Sequence, residues 1–422
     1  MWETLRNAWK IPDLRKKLLY TLFMILIYRL LAHIPTPGIN LAAVQDAVKN
    51  YDLLNYINMM TGSAIDQFGI MAMGITPYIN ASIIMQLLTV AIPKLEEMQK
   101  EGEEGRKKIA QITRFVTVGL GFLQAVALSM GLGASQTATW YSYLTIGMCL
   151  AAGTSIAMWI GERITANGIG NGISLLIFSG IISRIAIAVA NSVVGIFNPE
   201  IVGGNTSFIA MILVLLISLI LIVGVVFIDL GERRVPVQYA KRMVGRKMYG
   251  GQSTHIPMRI NSSGVLPLIF ASSIMQFPGT IAAFFPNSSA KAWLDANFGS
   301  MGFPHQIVFA LLILGFTYFY HTISFNPAEI SKNIQQNGGM IPGIRQGKPT
   351  TDFLARISSR ITLFGALFLA ALAIVPTLIS RLGGLNLPFA ASSLLIAVSV
   401  AMETTRQLES QMLMRHYKGF LK

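Results

Sequence analysis

Apolar runs recur along this chain near residues 18–34, 68–92, 114–133, 141–161, 173–194, 207–228, 264–285, 306–325, 357–376 and 387–404. A helix of about 18 residues or more can cross a ~30 Å hydrocarbon core, and in lipid the backbone must satisfy its own hydrogen bonds. Charged residues make up 12% of the sequence and hydrophobic ones 53%, where a soluble domain is about one quarter charged. The expectation is an all-α polytopic membrane protein with ten spans. The first run lacks a following small-residue cleavage site and is expected to be a span, not a removable signal peptide. Cys149 is the single cysteine, so no intrachain disulfide is possible, and its apolar setting reads as core packing.

Basic residues fix the expected orientation. Of the 33 Lys and Arg, 28 fall on one set of alternate connections and only Lys49, Lys291 and Arg381 on the other, while Arg29 and Arg184 lie inside spans. The positive-inside rule then places both termini in the cytoplasm. The same bias accounts for most of the net charge of +14, so nucleic-acid binding need not be invoked on charge alone.

One stretch occurs twice. Gly74-Ile-Thr-Pro-Tyr-Ile-Asn-Ala-Ser-Ile-Ile-Met-Gln86 returns 190 positions later as Gly264-Val-Leu-Pro-Leu-Ile-Phe-Ala-Ser-Ser-Ile-Met-Gln276, with eight identities. Shared Ile and Ala are common between apolar helices, but Gly, Pro, Ser and Gln in register point to duplication. The expected orientation makes the two copies cross in opposite senses, which implies two inverted five-span halves with a working seam between them. The connection 195–205, which contains Pro and Gly, is the expected hinge.

Proline within a span tends to kink it, so Pro77 and Pro267 read as matched irregularities. Ile75 and Ile79 share one helix face by their i, i+4 spacing, as do Ile173 and Ile177 after the Gly168–Gly172 loop. Carriers of small solutes usually place ionisable groups at mid-membrane. Here the spans hold little beyond Arg29 and Arg184, which disfavours a carrier and favours an aliphatic, amide-lined pore. A scaffold for a membrane complex would need neither the repeat nor the prolines. The outer connection contains an amphipathic stretch, Asp52–Met60, too short and polar to span. The inner connections 229–263 and 326–360 are basic and longer than joining neighbouring helices requires, which suits docking of an acidic or phosphate-rich partner. The five histidines show no metal-ligand spacing, and Gly343–Pro349 lacks the spacing and hydroxyl of a phosphate loop. No catalytic, metal or cofactor site is expected.

Several motifs carry a family resemblance: Gly74–Gln86, Glu101–Arg106, Gly168–Ser174, Tyr239–Arg242 with Gly251–His255, Asn326-Pro327, and Pro342–Arg345. With these the chain resembles, over essentially its whole length and most closely in its bacterial members, the SecY family of protein-conducting channels. The resemblance implies a ten-helix hourglass. Residues 1–195 would form one half, 196–205 the hinge and 206–422 the other half. It implies a pore ring of Ile75, Ile79, Ile173, Ile177, Ile269 and Ile396. A plug near 53–67 would include Leu54, Ile57, Met60 and Ile65. A lateral gate between spans two and three and spans seven and eight would be lined by Asn80, Gln124 and Phe277. Arg242, Arg246, Lys247, Arg345 and Lys348 would dock the SecA ATPase or a ribosome. SecE and SecG are the implied companion subunits, signal-bearing preproteins the cargo, and lipid of the cytoplasmic membrane the surroundings.

Overall fold

The computed structural model describes residues 2–50, 64–65, 67–137, 139–197, 208–239, 242–244, 247–249, 253–261, 264–283, 289, 293, 302–383 and 391–419. A helix lies over each expected apolar run. The chain opens with α1 (Trp2–Lys10), α2 (Pro12–Ala32) and α3 (Leu41–Asn50), followed by α4 (Thr76–Ala91), α5 (Pro93–Lys100), α6 (Glu103–Gly131), α7 (Trp140–Asn167) and α8 (Gly172–Phe197). The rest comprises α9 (Phe208–Leu230), α10 (Leu266–Ala283), α11 (Phe303–Ser324), α12 (Pro327–Gln336), α13 (Lys348–Gly383) and α14 (Ala391–Gly419). Among the described residues, Glu103–Gly131, Trp140–Asn167, Phe303–Gln336 and Lys348–Ile379 are each long and apolar enough to cross a membrane unaided. The protein is a multi-pass membrane protein.

The second apolar run is helical over a shorter stretch than its hydropathy implies. Helix α4 starts only at Thr76, and residues 67–75 run as turns and a bridge. The Ile70 amide donates to the Ile34 carbonyl at 2.9 Å, and the Thr36 hydroxyl donates to the Phe68 carbonyl at 2.9 Å. These bonds tie the segment to the connector after α2, so its backbone groups are satisfied without a helix. Gly74 takes φ +52°, a left-handed value that Gly adopts without strain, and Pro77 follows in the first helical turn, where its missing N–H is not needed.

The second copy of the repeat behaves alike. Gly264 has φ +62°, and Pro267 is the second residue of α10. Equivalent hydrogen bonds close the first turns: Ile79 N–H to the Ile75 carbonyl and Ile269 N–H to the Val265 carbonyl, both 3.1 Å. The two prolines are therefore helix initiators and not the mid-span kinks expected from sequence. Prolines inside a helix are Pro278 in α10 and Pro376 in α13. A sharp bend of 99° separates α4 from α5, because Pro93 forces the preceding Ile92 into extended backbone.

The long basic connection after α9 adds strands that the sequence reading did not anticipate. Strands β1 (Glu232–Tyr239) and β4 (Ser253–Arg259) form an antiparallel pair whose register runs from Glu232 opposite Arg259 to Gln238 opposite Ser253. Strands β2 (Arg242–Val244) and β3 (Lys247–Tyr249) pair with each other, and β5 (Gly339–Met340) adds to the free edge of β1. Val235 and Val237 turn inward onto Met258, Ile334, Ile341 and Leu354, while Arg233 and Arg234 stay exposed. The period-two alternation gives this connection a small core of its own.

The largest buried cluster gathers side chains from α2, α4, α7 to α11, α13 and α14. It is the common interior of both halves of the repeat.

Candidate functional site

Five of the six isoleucines expected in the ring are buried members of that central cluster: Ile75, Ile79, Ile177, Ile269 and Ile396. Ile173 is half-buried and packs against it. Their delivery follows one pattern. Ile75 and Ile79 sit at the start of α4, Ile173 and Ile177 at the start of α8, Ile269 in the first turn of α10, and Ile396 in the second turn of α14. Helix α10 packs against both α4 and α14, and α14 packs against α8. The start of α8 is fixed by Asn171, whose Oδ1 accepts from the N–H groups of Ile173 at 3.1 Å and Ser174 at 3.3 Å. Such an N-cap satisfies donors that a helix start otherwise leaves open.

Two seams flank this waist. On one, α10 lies against α4 and α6, and the expected gate residues are here. Asn80 and Gln124 are buried, and Phe277 is half-buried on α10. Gly121, one turn before Gln124, faces Pro77 of α4: a Cβ there would meet the proline ring at 3.5 Å, an ordinary packing contact. Asn80 Oδ1, Gln124 Oε1 and Ser273 Oγ are buried without a hydrogen-bond partner among the described residues. The same seam contains a bond that the sequence reading missed: the Tyr320 hydroxyl of α11 donates to Gln86 Oε1 of α4. Gln86 stood in the repeat as an unexplained polar residue, which was the available signal. The opposite seam joins α8 to α14. Its buried residues are mostly aliphatic, including Leu176, Ile181, Leu395 and Val400.

Among the expected plug residues, Ile65 is fully buried with Phe68 and Val44 in a separate apolar cluster. Leu54, Ile57 and Met60 lie outside the described residues, as does 198–205 of the expected hinge.

Arg345 is exposed on the turn between β5 and α13, and Lys348 is exposed as the first residue of α13. Gly343 occupies φ +80° within that turn. The turn is held from below: Gln346 Nε2 donates to the Gly339 carbonyl at 2.8 Å, Ser331 Oγ to the Gly347 carbonyl at 3.0 Å, and Thr350 Oγ1 to the Arg345 carbonyl at 2.7 Å. Asn326 caps α12 beneath, accepting from the N–H groups of Ala328 and Glu329. Arg242 and Lys247 fall in the β2–β3 ribbon, and Arg246 lies outside the described residues. The bonds beneath Arg345 present a cation on a braced backbone instead of a free loop.

Helices gathered round an apolar waist, in two repeat-related halves, make the architecture of a membrane channel. The fold matches a solved protein-conducting channel with a TM-score of 0.69 and 20% identity, covering 97% of each chain. It also matches Sec61 from the canine ribosome-channel complex, with a TM-score of 0.65, 19% identity and 97% of each chain covered. The SecY family profile matches residues 69–405. The SecY protein translocase subunit of Halalkalibacterium halodurans is 43% identical over the full length of both chains, and that of Bacillus subtilis is 40% identical over the same full lengths. This chain belongs to the SecY family. Membership removes small-solute carriage as a reading of the pore.

Proposed function

We propose that this chain is the channel through which unfolded secretory polypeptides cross the cytoplasmic membrane, and from which membrane-protein helices leave sideways into lipid. The observation that carries the reading is the convergence of Ile75, Ile79, Ile177, Ile269 and Ile396 in one buried cluster at the starts of four helices. An apolar constriction dewets and so resists ions, while aliphatic side chains can close round a passing chain. The gate lies where α4 and α6 meet α10 and α11, beside Asn80, Gln124 and Phe277. The Leu54–Ile65 region plugs the resting pore, and 196–205 is the hinge. Both termini face the cytoplasm, in keeping with the 28 to 3 bias of basic residues.

The chain supplies no catalysis, so the driving force comes from partners. The exposed Arg345 and Lys348, together with the basic ribbon around Arg242, Arg246 and Lys247, receive the SecA ATPase or a ribosome; a solved relative of the same fold is the channel of a canine ribosome complex. SecE and SecG complete the assembly.

The test is reconstitution into planar bilayers and vesicles. Ile79→Asn combined with Ile269→Asn hydrates the waist, and the resting channel leaks ions. An unchanged conductance in a correctly folded variant removes those residues from the pore. Arg345→Glu leaves the fold intact and reduces SecA-driven translocation into vesicles to background, and full translocation by that variant refutes the docking surface.

A further inference from the structure

At the root of the β1–β4 hairpin the chain buries polar groups that neither pore nor gate uses. Asp229 stands in the last turn of α9 and is 6% exposed; Asn261, just past β4, is 7% exposed. Asn261 Nδ2 donates to Asp229 Oδ1 at 2.7 Å. The two residues face each other across the hairpin neck, which is closed by the Ile260 N–H donating to the Gly231 carbonyl at 3.0 Å. From α14, the guanidinium of Arg406 donates to the Asp229 main-chain carbonyl. The charges of Arg406 and Arg259 attract the Asp229 carboxylate, whereas Glu403, one turn before Arg406, repels it. Helix α13 closes the other side: a Cβ on Gly365 would meet the Ile260 carbonyl at 2.7 Å.

Burying charged groups is a poor way to gain stability, because desolvation offsets much of any attraction between them. A buried polar joint is better suited to fixing how elements sit relative to one another. Here it ties the hairpin to the helix that carries Ile396. Arg406 and Ile396 are ten positions apart on α14, about 15 Å along its axis. A helix of that length transmits a push at one end to the other without bending much.

We propose that Arg406 is a positioning residue: through Asp229 and Asn261 it locks the basic hairpin to α14, so that a load on the docked hairpin moves Ile396 at the waist. This rests on the translocation reading above and adds a route from docking surface to pore. The residue does not contact the cargo or the docked partner.

The experiment uses the full chain with its companion subunits in vesicles, driven by the SecA ATPase with ATP. Arg406→Gln lowers the translocation rate about tenfold, a coupling loss within the usual range, while SecA affinity and the resting ion leak stay at parental values. Arg406→Lys, which can still donate to the Asp229 carbonyl, restores most of the rate. Spin labels at Thr254 and Leu413, with Cys149 replaced, report one narrow distance in the parent and a broadened one in Arg406→Gln. If Arg406→Gln fails to fold, Asn261→Ala, which removes the bond to Asp229 Oδ1 and with it the hairpin's side of the joint, must give the same rate loss and broadening. A parental channel that moves no preprotein refutes the translocation reading itself. With an active parent, an unchanged rate, an affinity falling in proportion to the rate, or an unbroadened distance overturns the coupling role.

Discussion

Along the seam where α8 meets α14, the buried side chains include Leu176, Ile181, Leu395, Ile396 and Val400, and its polar groups include the two small hydroxyls of Ser179 and Ser393, which also lack partners among the described residues. Where α4 and α6 meet α10 and α11, the seam holds Asn80, Gln124, Gln86, Gln276 and Tyr320. Aliphatic packing has no better alternative state, since parting it forfeits dispersion contacts outright. Asn80 Oδ1 and Gln124 Oε1, unmet among the described residues, are already in deficit, because a buried unmet donor or acceptor costs about 1–3 kcal/mol. When the amide seam parts, water, lipid headgroups or an arriving chain can meet those groups. On the proposed gating, one seam is a permanent joint and the other a closure that needs little work to open.

The sharpest way to break this contrast is charge. Leu395→Asp puts an ionisable group at a fully buried site on the aliphatic seam, at a cost of about 3 kcal/mol or more inside a membrane protein. The folded protein should be lost, measured as yield after detergent extraction and as the midpoint of thermal unfolding. Recovery of a normal, equally stable protein means that the seam tolerates separation and the contrast fails.

A second substitution acts in the other direction. Asn80→Leu and Gln124→Leu each remove a buried amide that lacks a full set of partners, and should stabilise the closed seam by about 1–3 kcal/mol. Unfolding midpoints rise while translocation of preproteins slows. Loss of stability in both variants indicates that the amides have partners in the membrane and are not in deficit.

The parts of this architecture that were legible in the sequence are those encoded locally. Run length and the distribution of Lys and Arg specify the helices and their expected sidedness, and Gly74-Pro77 and Gly264-Pro267 mark the repeat because their chemistry is rare in apolar helices. The start of α4 was not legible. Residues 68–75 are as apolar as a helix, and only their hydrogen bonds to the connector near Ile34 and Thr36 make them turns. No single isoleucine among so many signals a pore, so the proposed ring rests on family resemblance. The strands of the hairpin hide in a polar connection with just Val235 and Val237 to show an alternation. Contacts such as Arg406 with Asp229, 177 residues apart, depend on the completed fold and leave no local trace.

The smallest expected effect bears most directly on which seam opens. Tyr320→Phe deletes one hydroxyl and with it the bond to Gln86 across the amide seam, leaving the tilted ring contact with Phe270 in place. Side-chain hydrogen bonds between membrane helices average about 0.6 kcal/mol, so the open population should rise about threefold. Ile181→Val on the aliphatic seam is the control, costing about 1 kcal/mol of packing at a buried site. Single-channel recordings distinguish the two: Tyr320→Phe raises the frequency of brief openings, and Ile181→Val lowers thermal stability without changing that frequency. Equal gains in opening from both would mean that the seams yield alike, and that the amides beside Gln86 do not decide where the channel parts.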